Sequence, residues 1–238
     1  MQFSQPLLRG TLVKRYKRFF AEVALADGSV LTAHCPNPGS MLSVNAPGSV
    51  VWLSEATNPV RTLKYTWELI EVGDTLVGVN TGLPNRLAVE AVQDGAIPAL
   101  AGYERLRREV RYGTGSRIDL LLEDGQRPTC FVEIKNVTLR RGAGATQPVE
   151  FPDSVTERGL KHLHELMAVA QAGQRSVMLF IAQRSDAPSF RVAADIDPRY
   201  AQALQQAVVA GVEVLCYSCD VSPAGVRVTA PVTIELPA

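Results

Sequence analysis

Over the first 80 or so residues, short apolar stretches are separated by turn residues, which is the pattern of a run of β-strands. Phe19 to Leu25 reads as a strand, Asp27-Gly28 as a hairpin turn and Val30 to His34 as the returning strand. Pro36-Asn37-Pro38-Gly39 is a compact turn cluster. Val50 to Ser54, Leu63 to Val72 and Leu76 to Asn80 are three further strands. About five short strands in so short a segment predict a small barrel, and the oligonucleotide-binding (OB) five-stranded barrel is one candidate.

From Thr81 the pattern changes. Asn85 is suited to cap a helix through about Asp94, with Gly95 as its stop. Tyr103 to Tyr112, Arg117 to Leu122 and Thr129 to Thr138 read as strands, and the Gly- and Ala-rich stretch Arg140 to Gln147 as a mobile loop. Ser154 and Glu157 form a capping box opening a helix to about Ala172. Ser176 to Ala182 is a buried strand, Pro198 to Ala210 a helix and Glu213 to Tyr217 a last core strand. Strands alternating with helices after an antiparallel start describe an α/β (α+β) architecture, divided at residues 1–81 and 82–238. No internal repeat is visible.

The 238 residues are 46% hydrophobic and 20% charged, the composition of a globular protein with a real core. The longest apolar run, Val177 to Ala182, is far short of a membrane span. The start, MQFSQPLLRG, lacks the apolar stretch of a secretory signal, so a cytoplasmic location is expected. The 24 Lys+Arg balance the 24 Asp+Glu, yet the charge is unevenly distributed. Arg9, Lys14, Arg15, Lys17 and Arg18 meet no acid before residue 22, and Arg105, Arg107, Arg108, Arg111 and Arg117 stand against Glu109 alone. Local potential rather than net charge steers a polyanion, so both patches are candidate phosphate contacts. Of the four cysteines, Cys216 and Cys219 form a C-x-x-C, but no second pair or spaced histidines complete a zinc site.

Candidate chemistry concentrates in R117-I-D119-L-L-L and C130-F-V-E133-I-K135-N-V. Strand alternation points Glu133 and Lys135 to one face, and a turn at Asp124-Gly125 brings Asp119 back beside them. A carboxylate and an ammonium amid apolar strand residues are costly unless paired or metal-bound. Two carboxylates suit a hard ion such as Mg²⁺, and a neighbouring lysine stabilises charge on an attacking hydroxide or a pentacovalent phosphate. Glu90, on the helix after Asn85, is a candidate third acid. On the later helix Arg158, Lys161 and Glu165 share one stripe, and from it Lys161 could reach a phosphate; His162 and His164 cannot share a face. The run K14-R-Y-K-R-F-F interleaves cations with Tyr16, Phe19 and Phe20, a pattern fitted to phosphate neutralisation and base stacking, or equally to a strand with a basic outer face. Gly142-x-Gly144 lacks the third glycine of a dinucleotide loop, and adjacent His34 and Cys35 point oppositely on a strand.

The segments PLLRGTLVKRYKRFFAEV, HCPNPGSM, YTWELIEV, VGVNT, RREVRYGTGSRIDLLL, VEIKNVTL and FPDSVTERGLKHLHEL together resemble the sugar fermentation stimulation protein A family, from Phe3 to about Tyr217. Pro38 stands where that family usually carries Thr. The resemblance implies a DNA-binding protein with an OB-like barrel followed by a domain of the PD-(D/E)XK nuclease type. By position it carries Asp119, Glu133 and Lys135 to the nuclease core and Glu90 to its first-helix acid, with Ile118 in place of the signature proline.

Three readings follow: a DNA-binding protein, linked by its family name to regulation of sugar metabolism, with a nuclease-like metal site; an active Mg²⁺- or Mn²⁺-dependent nuclease; or a catalytically silent interaction protein. The expected metal ligands are Glu90, Asp119 and Glu133, and the expected catalytic residues are Asp119, Glu133 and Lys135. The expected DNA contacts are Lys14, Arg15, Tyr16, Lys17, Arg18, Arg108, Arg117 and Lys161. DNA is the expected partner, a homodimer is compatible with the sequence, and no membrane association is expected.

Overall fold

Six strands occupy the first third of the chain: β1 (Leu8–Tyr16), β2 (Phe20–Ala24), β3 (Val30–His34), β4 (Val50–Glu55), β5 (Tyr65–Val72) and β6 (Thr75–Gly78). In this computed structural model, which describes residues 1–113, 115–142 and 144–235, they pair in the order β3-β2-β1-β4-β5-β6. The pairing of His34 with Thr66 joins β3 to β5 and closes the first five into a barrel. The inward residues of the alternating strands, among them Leu12, Val23, Leu53, Trp67 and Ile70, form its core. The indole N–H of the fully buried Trp67 donates to the Leu69 carbonyl at 2.9 Å, so its polar atom is satisfied.

Strand β1 bears out the alternative of a strand with a basic outer face for Lys14 to Tyr16 and extends it back to Leu8. It contains most of the basic run, whose charges mask the alternation of Leu8, Gly10 and Leu12 toward the interior. Lys17 and Arg18 make the tight turn into β2 with left-handed φ of 46° and 62°.

The second part runs α1 (Pro84–Gln93), β7 (Arg105–Tyr112), β8 (Ser116–Asp124), β9 (Arg127–Val137), β10 (Val149–Phe151), α2 (Glu157–Gln171), β11 (Arg175–Ala182), β12 (Ser189–Val192), α3 (Pro198–Val209), β13 (Glu213–Ser222), β14 (Gly225–Pro231) and β15 (Thr233–Glu235). Its main sheet has the order β14-β13-β11-β9-β8-β7, with β9, β11 and β13 parallel and the rest antiparallel. On one face α1 buries Leu87, Ala88 and Ala91. On the other, Leu163 and Leu166 of α2 and Tyr200 and Leu204 of α3 cover Met178 and Phe180. Strands β10, β12 and β15 form a small parallel sheet.

Two expected caps are corrected. Asn85 does not cap α1; it lies inside the helix, whose N-cap is Leu83 without a side-chain bond. Helix α2 is capped by Thr156 rather than by Ser154, its hydroxyl accepting from Gly159 N–H at 3.0 Å. The start of the Arg140–Gln147 segment is anchored by side chains, since Arg140 bonds Asp186 at 3.1 Å and Arg141 bonds Glu150 at 2.7 Å; residue 143 lies outside the described residues. The four cysteines are buried and unbridged. Residues at the very start lie against the second sheet, with Gln2 bridged to Gly225. No helix among the described residues is long and apolar enough to cross a membrane.

Candidate active site

The ribbon β7–β8 changes faces where Glu109 and Asp119 stand opposite each other. Before that level Leu106 and Leu122 pack beneath α1; after it Val110, Tyr112 and Ile118 pack beneath α2 and α3. Glu109 accommodates the switch with a left-handed φ of 52°. The same irregularity parts β8 from β9, whose paired register begins only at Leu120–Val132. Asp119 fills the gap: its Oδ2 accepts the Ile134 N–H at 2.7 Å, and its Oδ1 accepts from Asn85 Nδ2 of α1 at 2.8 Å. The Asn85 amide also reaches Glu109 Oε1 at 3.4 Å.

One residue along, Glu133 is only 2% exposed. Its Oε1 accepts from Lys135 Nζ at 2.6 Å and is hydrogen-bonded to His162 Nδ1, while Lys135 Nζ also stands 3.3 Å from that Nδ1. Arg158 Nε donates to His162 Nε2 at 3.4 Å, which leaves the ring proton on Nδ1, aimed at Glu133. The other oxygen of Glu133, Oε2, is buried and has no partner. Burial pushes the Glu133 carboxyl up, but the His162 and Lys135 contacts outweigh it and hold it below its usual value. Asp119 behaves oppositely: burial, then the negative charge of Glu133, raise it.

Two mutually repelling carboxylates, one buried and one half-buried, with one unpartnered oxygen fit a hard divalent cation, which would compensate both defects. Among the described residues no group of three or more His, Cys, Asp or Glu is placed to hold a metal. A two-carboxylate site suits Mg²⁺, which keeps several waters and takes one or two protein carboxylates.

A second polar layer adjoins the centre. Ser116 Oγ donates to Glu165 Oε1 at 2.9 Å, and Lys161 pairs with the same carboxylate at 3.7 Å. The Tyr112 phenol is raised by burial and by the charges of Glu133, Glu165 and Asp119 around it. The structure therefore brings Asp119, Glu133 and Lys135 together and places Lys161 at the rim. Glu90 does not join them: it pairs with the Met1 amine at 2.6 Å and with Arg86 at 3.0 Å. Asn85 and Glu90 are five positions apart, about 140° around a helix, so they face different ways. Sequence reasoning missed His162 and Asn85. Spacing from Leu163 and Leu166 was the available signal that His162 borders the buried face.

Residues 13–79 match the SfsA N-terminal OB domain, and residues 82–225 match the sugar fermentation stimulation protein RE domain. The chain belongs to the sugar fermentation stimulation protein family. It is 57% identical over 236 residues to the sugar fermentation stimulation protein homolog of Maricaulis maris, covering 99% of each chain. It is 56% identical over 230 residues to the Rhodospirillum rubrum homolog, covering 94% of each. The solved structure of Pyrococcus furiosus SfsA in complex with Ca²⁺ superposes with a TM-score of 0.86 at 25% identity, covering 99% of this chain and 98% of that one. The fold is thus an OB barrel followed by a restriction-endonuclease-like α/β domain.

In this member of the sugar fermentation stimulation protein family, the basic hairpin is largely engaged in structure. Arg15 donates to the carbonyls of Asn37 and Gly39 at 2.8 Å each and to those of Arg18 and Ser40. Lys14 pairs with Glu22 at 3.2 Å and lies over the ring of Tyr16, which stacks on Phe20. Lys17 and Arg18 remain exposed at the hairpin tip. Arg108 and Arg117 are exposed on β7 and β8.

Proposed function

We propose that the chain binds DNA and that its second domain is a phosphodiesterase dependent on Mg²⁺ or Mn²⁺. The observation that carries this reading is the convergence of Asp119, Glu133 and Lys135, with the buried Glu133 Oε2 left unpartnered. Asp119 and Glu133 would hold the cation. When bound, it supplies a polarised phosphate and a water acidified toward hydroxide. Lys135 places its ammonium beside the carboxylate pair, where it can donate to an oxygen gaining charge. His162 keeps Glu133 Oε1 engaged and so leaves Oε2 as the oxygen without a partner. The Pyrococcus furiosus relative was solved in complex with Ca²⁺, which supports divalent-cation binding by this fold. Binding of DNA near regulated genes would connect this chemistry to sugar metabolism.

A second reading, binding without cleavage, is favoured by one observation: both oxygens of Asp119 are already occupied by N–H donors. A cleavage assay on plasmid and oligonucleotide DNA, with Mg²⁺ or Mn²⁺ against EDTA, decides. Metal-dependent cleavage that disappears in Asp119→Ala and Glu133→Gln supports hydrolysis. Cleavage persisting in both variants would mean a contaminant, and DNA binding without any cleavage would establish the silent reading.

A further inference from the structure

The register of the β7–β8 ribbon sets Arg111 directly opposite Arg117. Opposed residues of an antiparallel pair have Cα atoms about 4.5–5.5 Å apart, and like charges so placed repel. Both side chains are exposed, as is Arg108, about 10 Å away along β7 at strand rise. Among the described residues none of the three has an ion-pair or hydrogen-bond partner. The contrast lies on the same strand: Arg105 and Arg107 both pair with Glu123. The uncompensated arginines gather where the ribbon switches faces, and Arg117 precedes Asp119 by two residues.

A charged edge strand discourages unwanted strand pairing. That accounts for cations on β7, the edge of the sheet, but not for Arg117 on the inner strand β8. Opposed, unpaired arginines are tolerated best where an external anion settles between them. We propose that the β7–β8 ribbon is the surface on which the phosphodiester backbone of duplex DNA lies, with Arg108, Arg111 and Arg117 each engaging a phosphate beside Asp119. This rests on the DNA-binding reading above and adds which surface carries it. The duplex is the occupant because the ribbon offers charge without a stacking platform. Its one aromatic residue, Tyr112, packs inward beneath α2 and α3, whereas single strands are held by bases stacked on exposed rings.

The test is fluorescence anisotropy with a labelled duplex in EDTA, so that affinity is read without cleavage. Each phosphate contact contributes about 0.9 to the slope of log K against log salt. The triple variant Arg108→Gln/Arg111→Gln/Arg117→Gln should lower that slope by about 2.7. Arg227→Gln, on β14 at the opposite edge of the sheet, should leave it unchanged. The triple variant should melt no lower than the wild type, since it removes a repulsion. Wild-type affinity with an unchanged slope in the triple variant overturns the ribbon alone. No duplex binding by the wild type overturns both the ribbon and the DNA-binding reading. Tighter, equally arginine-dependent binding of the single strand overturns the choice of a duplex.

Discussion

The Nδ1 of His162, on α2, is hydrogen-bonded to Oε1 of Glu133, on β9, and that same oxygen accepts from Lys135 Nζ at 2.6 Å. One oxygen of the buried carboxylate is thereby fixed by two donors from different elements while the other is left free. His162→Ala should remove one donor from a nearly inaccessible carboxylate, costing about 1–3 kcal/mol. It should also weaken Mg²⁺ binding, because Glu133 can then rotate. His162→Gln keeps an amide donor and should recover part of both losses. Thermal melting together with calorimetric Mg²⁺ titration reads the two effects. Unchanged melting and unchanged Mg²⁺ affinity in His162→Ala would show that the bond positions nothing.

The part of this centre legible in the sequence is the part carried by neighbouring strands. Alternation along β9 sets Glu133 and Lys135 on one face, and the tight turn between β8 and β9 brings Asp119 alongside. The role of His162 depends on how α2 crosses β9, which no local pattern encodes. Glu90 misled because its apolar neighbours Leu87 and Ala91 suggested a core-facing acid; its partner is an amine some 90 positions away. Arg15 reads as a DNA contact until the turn at 37–40 folds over it and offers its carbonyls. The barrel was legible from strand spacing, and β1 only in part, because the charges it displays outward fit a strand and a phosphate contact equally well.

A buried acid lies in the barrel too. Glu68 is 5% exposed and accepts from Ser54 Oγ at 2.6 Å and Asn80 Nδ2 at 2.7 Å. Burial raises its carboxyl above the usual value despite both donors. A raised folded value means that the fold holds its proton longer than the unfolded chain does, so stability falls as pH rises through the folded value. Glu68→Gln has no charge to bury. Its Oε1 can accept from Asn80 while its Nε2 donates to Ser54 Oγ. The variant should therefore melt higher than the wild type at neutral pH, and the gain should vanish below the ordinary glutamate value of 4.5. A gain that is constant across this range would rule out ionisation of Glu68 as its source.

The opposite sign is expected at Arg141. Its guanidinium bonds Glu150 twice at 2.7 Å and Asp195 at 2.5 and 2.9 Å, and Glu150 is 1% exposed. The Arg141 bonds hold Asp195 down to about 2. Burial pushes Glu150 up, but Arg141 and Arg191 outweigh it and leave it lowered. Depressed acids stabilise the fold above their unfolded values and lose that contribution as pH falls through the folded ones. Arg141→Gln strips one of two guanidinium partners from the buried Glu150 charge, leaving Arg191 at 2.9 Å, and should cost about 1.5–3 kcal/mol near neutrality. The gap from wild type should narrow as pH drops from the ordinary glutamate value of 4.5 toward about 2. Denaturant unfolding over that range measures it, and a gap that widens in acid would contradict the assignment.

The barrel and the second domain meet where Asp153, just before α2, holds the turn at residues 37–41. Its Oδ2 accepts the Met41 N–H at 2.8 Å, and its carbonyl accepts from Ser40 Oγ at 2.6 Å. Gly39 lies directly beneath it: a Cβ there would stand 2.7 and 2.9 Å from the two carboxylate oxygens and 3.1 Å from Asn37 Oδ1, so the carboxylate would have to move. Gly39→Ala should push the carboxylate off the turn and cost about 1–3 kcal/mol. Asp153→Ala should cost about 1 kcal/mol for the lost bond. In the double variant the added methyl no longer meets the carboxylate. The combined loss should fall short of the sum of the single losses by at least about 0.5 kcal/mol. A double-mutant cycle by chemical denaturation reads this coupling directly. Strict additivity would mean that Gly39 is not reserved for Asp153.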